Sequence, residues 1–268
     1  MRKRLVSAAV LIPIVVAAVY LGGPYLAGLA GLVAVLAVYE YQRLVSVAGS
    51  RAGGRCRACF PVGALTAVLL VADGQWPRID LGAWGVMTAV LGLLIVGVLR
   101  EDATGALHGW AHSVTGALYV GMPLGVLVRL RNLPNGLYWV LLVCIGTWMC
   151  DAAALVVGKT WGKRAFFPAI SPSKTWEGAL GGEIVGAVSV MACAMVFPTR
   201  LAAGPAAALG LLIPTAAILG DLAESLIKRQ IGVKDSGHLI PGHGGMLDRI
   251  DSLLFTGPVV YAFIQFFM

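Results

Sequence analysis

The chain has 268 residues, of which 59% are hydrophobic and 12% are charged, and its mean hydropathy is +0.86. Soluble domains are about 45–50% apolar and about 25% charged, so this composition excludes a water-soluble globular domain and predicts an integral membrane protein. The net charge of +7 does not indicate nucleic-acid binding, because basic residues collect in the cytoplasmic loops of membrane proteins.

Apolar segments long enough to cross a bilayer follow one another along the chain. A spanning helix needs about 20 apolar residues, and the first such run follows three basic residues. It is longer than the apolar core of a signal peptide, which favours a retained helix. We therefore predict an all-α, polytopic transmembrane helix bundle of nine helices, at residues 5–21, 24–41, 60–72, 81–99, 111–128, 137–158, 178–198, 202–220 and 251–268.

Basic residues are distributed unequally between the two sides of this predicted bundle. With the N-terminus in the cytoplasm, 16 of the 20 Lys and Arg residues fall in cytoplasmic segments. Such a bias is typical of membrane proteins and sets their orientation. It places the two longest polar segments, residues 159–177 and 221–250, on the cytoplasmic side.

Acidic residues are concentrated in the second half of the chain. Eight of the 13 Asp and Glu residues lie at or after Asp151. An ionised Asp within a spanning helix costs about 2.5–3.5 kcal/mol on insertion scales, so Asp151 is itself a candidate site residue. We predict that residues 1–130 form N-terminal packing helices and that residues 131–268 form the catalytic region, with cytoplasmic active-site loops.

The loop at residues 171–178, with the sequence SPSKTWEG, carries groups that bind phosphate oxygens. Ser173 and Lys174 offer a hydroxyl and a cation. The alternative is a simple connection in which Thr175 caps the following helix. The glycines that continue this segment recur every four residues, a spacing that predicts helix packing rather than chemistry; they are Gly178, Gly182 and Gly186.

The segment at residues 220–252 holds most of the remaining functional groups. Four polar residues recur there at i, i+3, i+4 and i+7, which places them on one face of a helix: Asp221, Glu224, Ser225 and Lys228. Arg229 follows on the same helix end. This face presents carboxylates nearest the membrane and cations one turn further out, and we expect the side chains of Lys228 and Arg229 to face water. The alternative for Lys228 and Arg229 is that they only set the topology.

A glycine-rich turn follows, with the sequence PGHGG at residues 241–245. Glycines allow backbone N–H groups to approach a phosphate closely. The turn would bring Asp248 back to face Asp221, and two such carboxylates are a binding site for Mg²⁺, which takes its other ligands from phosphates and water. The alternative is that Asp248 and Asp251 only favour a helix N-terminus through its dipole.

These residues carry a family resemblance. Residues 225–251, SLIKR-x₄-KDSG-x₂-IPGHGGMLDRID, resemble the signature of the phosphatidate cytidylyltransferases, the bacterial CDP-diacylglycerol synthases. The SPSKTWEG loop resembles a second block of that family, and Asp151 lies where the family has a membrane-embedded Asp. The residues after Asp151 are less polar than is usual in the family, and residues 1–130 match it only in hydropathy.

The resemblance implies an enzyme of the bacterial inner membrane that makes CDP-diacylglycerol and pyrophosphate from CTP and phosphatidate at its cytoplasmic side. It implies Mg²⁺ held by Asp221 and Asp248, with a second cation left open, and it leaves a homodimer open. Phosphates would be bound by Lys228, Arg229, Lys234 and Arg249. The triphosphate would be contacted by His243, Gly244 and Gly245. Ser173, Lys174 and Ser225 would bind substrate, and the orienting carboxylates would be Asp151, Glu224, Asp235 and Asp251.

Two other classes of protein remain open at this point. A CTP-dependent lipid kinase would also combine membrane helices with acidic and basic loops, but it would release CDP rather than pyrophosphate. A transporter would place charges near the midplane of the bilayer and show internal repeats. Here the charges cluster at one face and no repeat is visible, which favours an enzyme.

Overall fold

Helices make up most of the chain in the computed structural model. It describes residues 2–51, 59–99, 106–199, 201–237, 239 and 244–268, and their side chains from Ala9 onward except those of 47–51. Within these residues there is no strand, and an isolated antiparallel bridge joins Ala165 to Thr175. The predicted all-α class is therefore confirmed. The helices are α1 (Arg2–Leu21), α2 (Gly23–Arg51), α3 (Phe60–Gln75), α4 (Leu81–Met87), α5 (Leu93–Leu99), α6 (Ala106–Asn132), α7 (Gly136–Trp161), α8 (Trp176–Val196), α9 (Ala203–Ile231), α10 (Leu247–Ile250) and α11 (Leu253–Phe267).

Seven helical stretches in the described part of the chain are long and apolar enough to cross a membrane. They are Gly23–Ser46, Leu81–Leu99, Ala106–Asn132, Gly136–Trp161, Trp176–Val196, Ala203–Ile231 and Leu247–Phe267. In the second stretch a wide helical turn at Thr88–Gly92 joins α4 to α5. The other two predicted spans correspond to shorter apolar helices, Ala9–Leu21 and Phe60–Gln75. A polytopic membrane protein is confirmed, and the number nine stays a prediction.

The connection between α2 and α3 distinguishes nine crossings from seven. If α1 and α3 both cross, this connection is cytoplasmic, as its arginines favour. If neither crosses, it lies on the opposite side, whereas the C-terminal end is extracytoplasmic in both cases. We expect a topology reporter fused after Arg55 to be cytoplasmic and one fused after Met268 to be extracytoplasmic. An extracytoplasmic signal after Arg55 would establish seven crossings.

The first of two packing units comprises residues 1–129 and 230–249. In it α2 packs against α1 and α3, and α3 packs against α4. Helices α3 and α6 approach closely, since a Cβ added to Gly125 would lie 2.3 Å from the Leu70 carbonyl oxygen. An ion pair between Asp73 on α3 and Arg129 on α6 joins the same two helices. Close packing and an ion pair thus fix α3 and α6 against each other.

The second unit comprises residues 130–229 and 250–268, and its main contact is between α7 and α8. The glycines spaced every four residues lie in that contact. A Cβ on Gly178 would be 2.8 Å from the Ala154 carbonyl oxygen, and one on Gly182 would be 2.9 Å from that of Cys150. The packing role predicted for these glycines is confirmed. The functional division at residue 130 stays a prediction, because packing units do not assign chemistry.

Candidate active site

The α7–α8 loop, residues 162–175, is a short hairpin closed by backbone hydrogen bonds. The N–H of Phe166 donates to the Lys174 carbonyl at 2.7 Å, and that of Trp176 donates to the Arg164 carbonyl at 2.9 Å. The carboxylate of Glu177 accepts the N–H groups of Lys163 and Arg164, at 3.0 and 3.2 Å. The loop is therefore held in one shape at the start of α8.

Two residues of this loop have distinct tasks. The Thr175 hydroxyl accepts the Gly178 N–H at 3.1 Å, so the predicted cap of α8 is confirmed. The neighbouring Lys174 points elsewhere and places its Nζ 2.7 Å from Oδ2 of Asp221 on α9. The two side chains are 24% and 38% exposed, but the Nζ atom of Lys174 is itself buried, so the exposed side of the ion pair is Asp221. Ser173 is exposed. The helix cap and the ion pair with α9 thus fall to different residues of the loop.

The end of α9 makes a second contact with the same loop. Nε of Arg229 donates to the Ile170 carbonyl oxygen at 3.2 Å. Together with the Lys174–Asp221 ion pair, this bond attaches the α7–α8 loop to α9 at two points, eight residues apart on the helix. The two polar segments that the sequence placed on one side of the membrane therefore meet within the second unit.

The predicted polar face of α9 contains a buried ion pair. Glu224 has no exposed surface and pairs with Lys228 one turn later, whose side chain is only 13% exposed. Ser225 beside them is also buried. The expectation that Lys228 faces water is therefore wrong. The helical spacing predicts the shared face, but burial depends on the helices packed against it.

This burial changes the expected effect of mutating Lys228. Lys228→Ala leaves the Glu224 carboxylate buried without its cation, and breaking a buried pair in this way costs about 3–5 kcal/mol. We expect a lower midpoint of thermal unfolding in detergent than for Lys234→Ala, whose side chain is exposed. Combining Glu224→Gln with Lys228→Met should recover most of the loss. Equal midpoints for the two alanine variants would contradict the buried pair.

Close packing brings a second acidic residue to Asp221. A Cβ on Gly220 would lie 2.6 Å from the Asp251 carbonyl oxygen, so only glycine lets α9 approach the start of α11 this closely. The carboxylate of Asp251 accepts the Ser252 N–H at 2.7 Å and lies within electrostatic reach of Asp221, Lys174 and Lys228. Two carboxylates and two cations thus form one cluster in the second unit.

The membrane-embedded Asp151 lies near this cluster. It is exposed on α7, ten residues before that helix ends at Trp161, so it lies about 15 Å along the helix from its end. The thiol of Cys150 is within electrostatic reach of Asp151, Glu183 and Asp221. Glu183 itself accepts the Thr215 hydroxyl at 3.1 Å. The acidic groups of three helices therefore surround one buried thiol.

In the first unit, Asp248 organises the connection between α9 and α10. Its carboxylate accepts the Ser236 N–H at 3.1 Å and the Gly245 N–H at 2.8 Å. Gly244 has a positive φ of 85°, and a Cβ there would lie 2.8 Å from Oδ2 of Asp248, so this position requires glycine. Because Gly245 donates to Asp248, its predicted contact with the triphosphate stays a prediction.

The remaining predicted residues are placed as follows. Lys234 and Arg249 are exposed, as cations that meet soluble phosphates should be, and the predicted orienting carboxylate Asp235 is exposed as well. His243 lies outside the described residues. Asp221 belongs to the second unit and Asp248 to the first, so their shared metal site stays a prediction.

The carboxylates of this site fit a cation that takes few protein ligands. Among the described residues, no three His, Cys, Asp or Glu side chains are grouped closely enough to hold a metal by themselves. Mg²⁺ is commonly bound by one or two carboxylates together with substrate phosphates and water. The hard oxygen donors of Asp221 and Asp251, next to the cations of Lys174 and Lys228, match this requirement.

Sequence reasoning missed Glu40 on α2. It is 3% exposed, and its Oε2 accepts the Leu247 N–H at 2.9 Å and the Ser236 hydroxyl at 3.3 Å. An acidic residue within a predicted spanning segment is a signal in its own right. It was overlooked because Glu40 lies at the end of the predicted helix 24–41, where charges usually mark a loop.

Comparison with known proteins gives a consistent result. The sequence model of the cytidylyltransferase family matches residues 2–267. A phosphatidate cytidylyltransferase of Pseudomonas aeruginosa is 35% identical over 98% of this chain and 97% of its own length. One of Synechocystis sp. is 33% identical over 98% of this chain and 96% of its own. One of Bacillus subtilis is 40% identical over 56% of each chain, so that match spans about half of the Bacillus protein.

Proposed function

Because the chain belongs to the cytidylyltransferase family, we propose that it joins CTP to phosphatidate, giving CDP-diacylglycerol and pyrophosphate. The observation that carries this proposal is the ion pair between Lys174 and Asp221. It unites the SPSKTWEG loop with the helix that begins the signature, 47 residues later in the chain. Cations and carboxylates brought together at a membrane-embedded site suit a reaction between two phosphate-bearing substrates, one of them a lipid.

The proposed reaction is a displacement at phosphorus. An oxygen of the phosphatidate phosphate attacks the α-phosphorus of CTP and forms the new P–O bond. The bond from the α-phosphorus to the oxygen that bridges to the β-phosphorus breaks, and pyrophosphate leaves with that electron pair. A phosphomonoester has its second pKa near 6, so the attacking oxygen is largely deprotonated at pH 7 and needs no strong general base.

The chain's own contribution is to hold two anionic substrates together. Lys174 lies on the loop and Lys228 on α9, and both act on the charge of Asp251. Arg229 fixes the loop against the helix end, and its guanidinium carries a further positive charge to that place. Mg²⁺, when bound by the carboxylates, would neutralise the triphosphate and stabilise the leaving pyrophosphate. Fixed charges of this kind stabilise a transition state without reorganisation.

We also propose that the reaction takes place at the cytoplasmic face of the bacterial inner membrane. The distribution of Lys and Arg supports this orientation, because it assigns both polar segments to the cytoplasmic side. CTP is a soluble nucleotide, whereas phosphatidate stays in the bilayer. A site at the end of α9 would receive the first from water and the second from lipid.

A labelling experiment in detergent tests the reaction class. Purified protein is given phosphatidate with CTP labelled at either the α- or the γ-phosphate. A cytidylyltransferase transfers the α-label to lipid and releases the γ-label as pyrophosphate. A CTP-dependent lipid kinase transfers the γ-label and releases CDP, which would overturn the proposal. Repeating the assay with dCTP and ATP defines the nucleotide preference, and transfer of neither label with any nucleotide would also contradict it.

A further inference from the structure

Glu40 connects the N-terminal helices to the signature region. It lies on α2, in the N-terminal half of the chain, which the sequence alone matched to the family only in hydropathy but which the family model covers from residue 2 onward. Its two hydrogen-bond partners, Ser236 and Leu247, are 196 and 207 residues further along the chain. All three residues belong to the first packing unit. They enclose segment 236–247, which precedes Asp248 directly.

The contact is too close for larger side chains. A Cβ on Gly245 would lie 2.5 Å from Oε2 of Glu40, and one on Gly237 would lie 2.4 Å from Oε1. Both distances are well below van der Waals contact, so only glycine at these two positions lets the backbone approach the carboxylate this closely. The signature therefore requires glycine at these positions partly because Glu40 is there.

In the described part of the chain, the buried carboxylate of Glu40 is stabilised by hydrogen bonds rather than by an ion pair. No Lys or Arg among the described side chains forms an ion pair with it, and its Oε1 has no hydrogen-bond partner. Burying a carboxylate without a cation is costly, even when hydrogen bonds offset part of the cost. A neutral residue would be less costly in a site that only had to pack. The hydrogen bonds that Glu40 accepts from Ser236 and Leu247 offset part of the cost of burying its charge.

Ser236 and Leu247, which donate hydrogen bonds to Glu40, lie next to two residues that we expect to bind the nucleotide or its metal. Lys234 lies two residues before Ser236 and is exposed, and Asp248 follows Leu247. Asp248 holds the same segment from its other side through the N–H groups of Ser236 and Gly245. Ser236 is thus held by two carboxylates, one from α2 and one from the start of α10. Displacing it would move both Lys234 and Asp248.

We propose that Glu40 is a positioning residue that holds Ser236 and Leu247 where the flanking residues Lys234 and Asp248 bind CTP. The inference rests on the proposed function, because it assigns the nucleotide rather than the lipid to this segment. Glu40 does not touch the substrate. It acts through Ser236 and Leu247 on the placement of Lys234 and Asp248.

The test compares Glu40→Gln with Gln42→Ala. Gln42 lies on the same helix, is 4% exposed, and has no side-chain hydrogen bond to segment 236–247, so it controls for loss of a buried polar group. We expect Glu40→Gln to raise KM for CTP about tenfold or more and to leave KM for phosphatidate within about twofold. Gln42→Ala should leave both KM values unchanged. A purely structural role would lower the amount of active protein equally for both substrates and leave both KM values unchanged, which would overturn the proposal.

A second measurement does not depend on turnover. Hydrogen exchange of the wild-type protein in detergent should show protection of the Leu247 amide, and Glu40→Gln should accelerate exchange across residues 236–247 while Gln42→Ala does not. Unchanged exchange in Glu40→Gln would overturn the inference whatever the activity. If the wild type fails to use CTP, the proposed function fails, while this measurement still decides whether Glu40 holds the segment.

Discussion

Asp221→Asn is expected to reduce CDP-diacylglycerol formation by about 1,000-fold, a loss of roughly 4 kcal/mol of transition-state stabilisation. The substitution keeps the size of the side chain and removes its charge. Lys174 then loses the carboxylate 2.7 Å away that places it, and the proposed Mg²⁺ loses an anionic ligand. The protein should stay folded in the membrane, because Asp221 is 38% exposed and an amide there remains hydrated.

The measurement is a Mg²⁺ titration of the α-label transfer. Asp80→Asn provides a matched control, because Asp80 is exposed and adopts a left-handed conformation that asparagine accepts readily. It lies between α3 and α4, outside both polar segments. We expect the control to match the wild type, and Asp221→Asn to need more Mg²⁺ for its residual activity. Near-normal activity with an unchanged Mg²⁺ requirement in Asp221→Asn would remove this residue from the metal site.

Asp248→Asn is expected to cause a similar loss, for two physical reasons. The first is the loss of a negative charge from the proposed metal site. The second is local, because the carboxylate accepts N–H groups from both Ser236 and Gly245. Both N–H groups donate to Oδ2, so an asparagine with its amide oxygen in that place still accepts both, but its hydrogen bonds are weaker because the acceptor has lost its negative charge.

The double variant separates these two effects. If Asp221 and Asp248 hold one cation, Asp221→Asn with Asp248→Asn should be little less active than either single variant, because residues that act as a unit are not additive. Hydrogen exchange across residues 236–247 should increase in Asp248→Asn and stay unchanged in Asp221→Asn. Multiplication of the two single losses in the double variant would show that the aspartates act independently and contradict a shared metal.

The sequence by itself determined the class of protein and much of its local structure. Apolar runs of about 20 residues admit little besides membrane helices, because only helices satisfy their backbone polar groups within one segment. Spacing alone predicted that Glu224 and Lys228 share one helix face and that the glycines of α8 serve packing, since neighbours on one helix face are separated by three or four residues. The Thr175 cap is likewise local, because donor and acceptor are three residues apart.

Only the tertiary structure decided which distant polar groups meet. Lys174 and Asp221 are 47 residues apart, and Glu40 is 196 residues from Ser236. A charged residue within an apolar segment indicates that it has a polar partner. The sequence does not identify that partner, because every polar group elsewhere in the chain is a candidate. Helix rotation and packing select among them, as they also decided that Lys228 is buried rather than in water. These contacts depend on how helices lie against one another, and hydrophobic periodicity carries that information only for each helix separately.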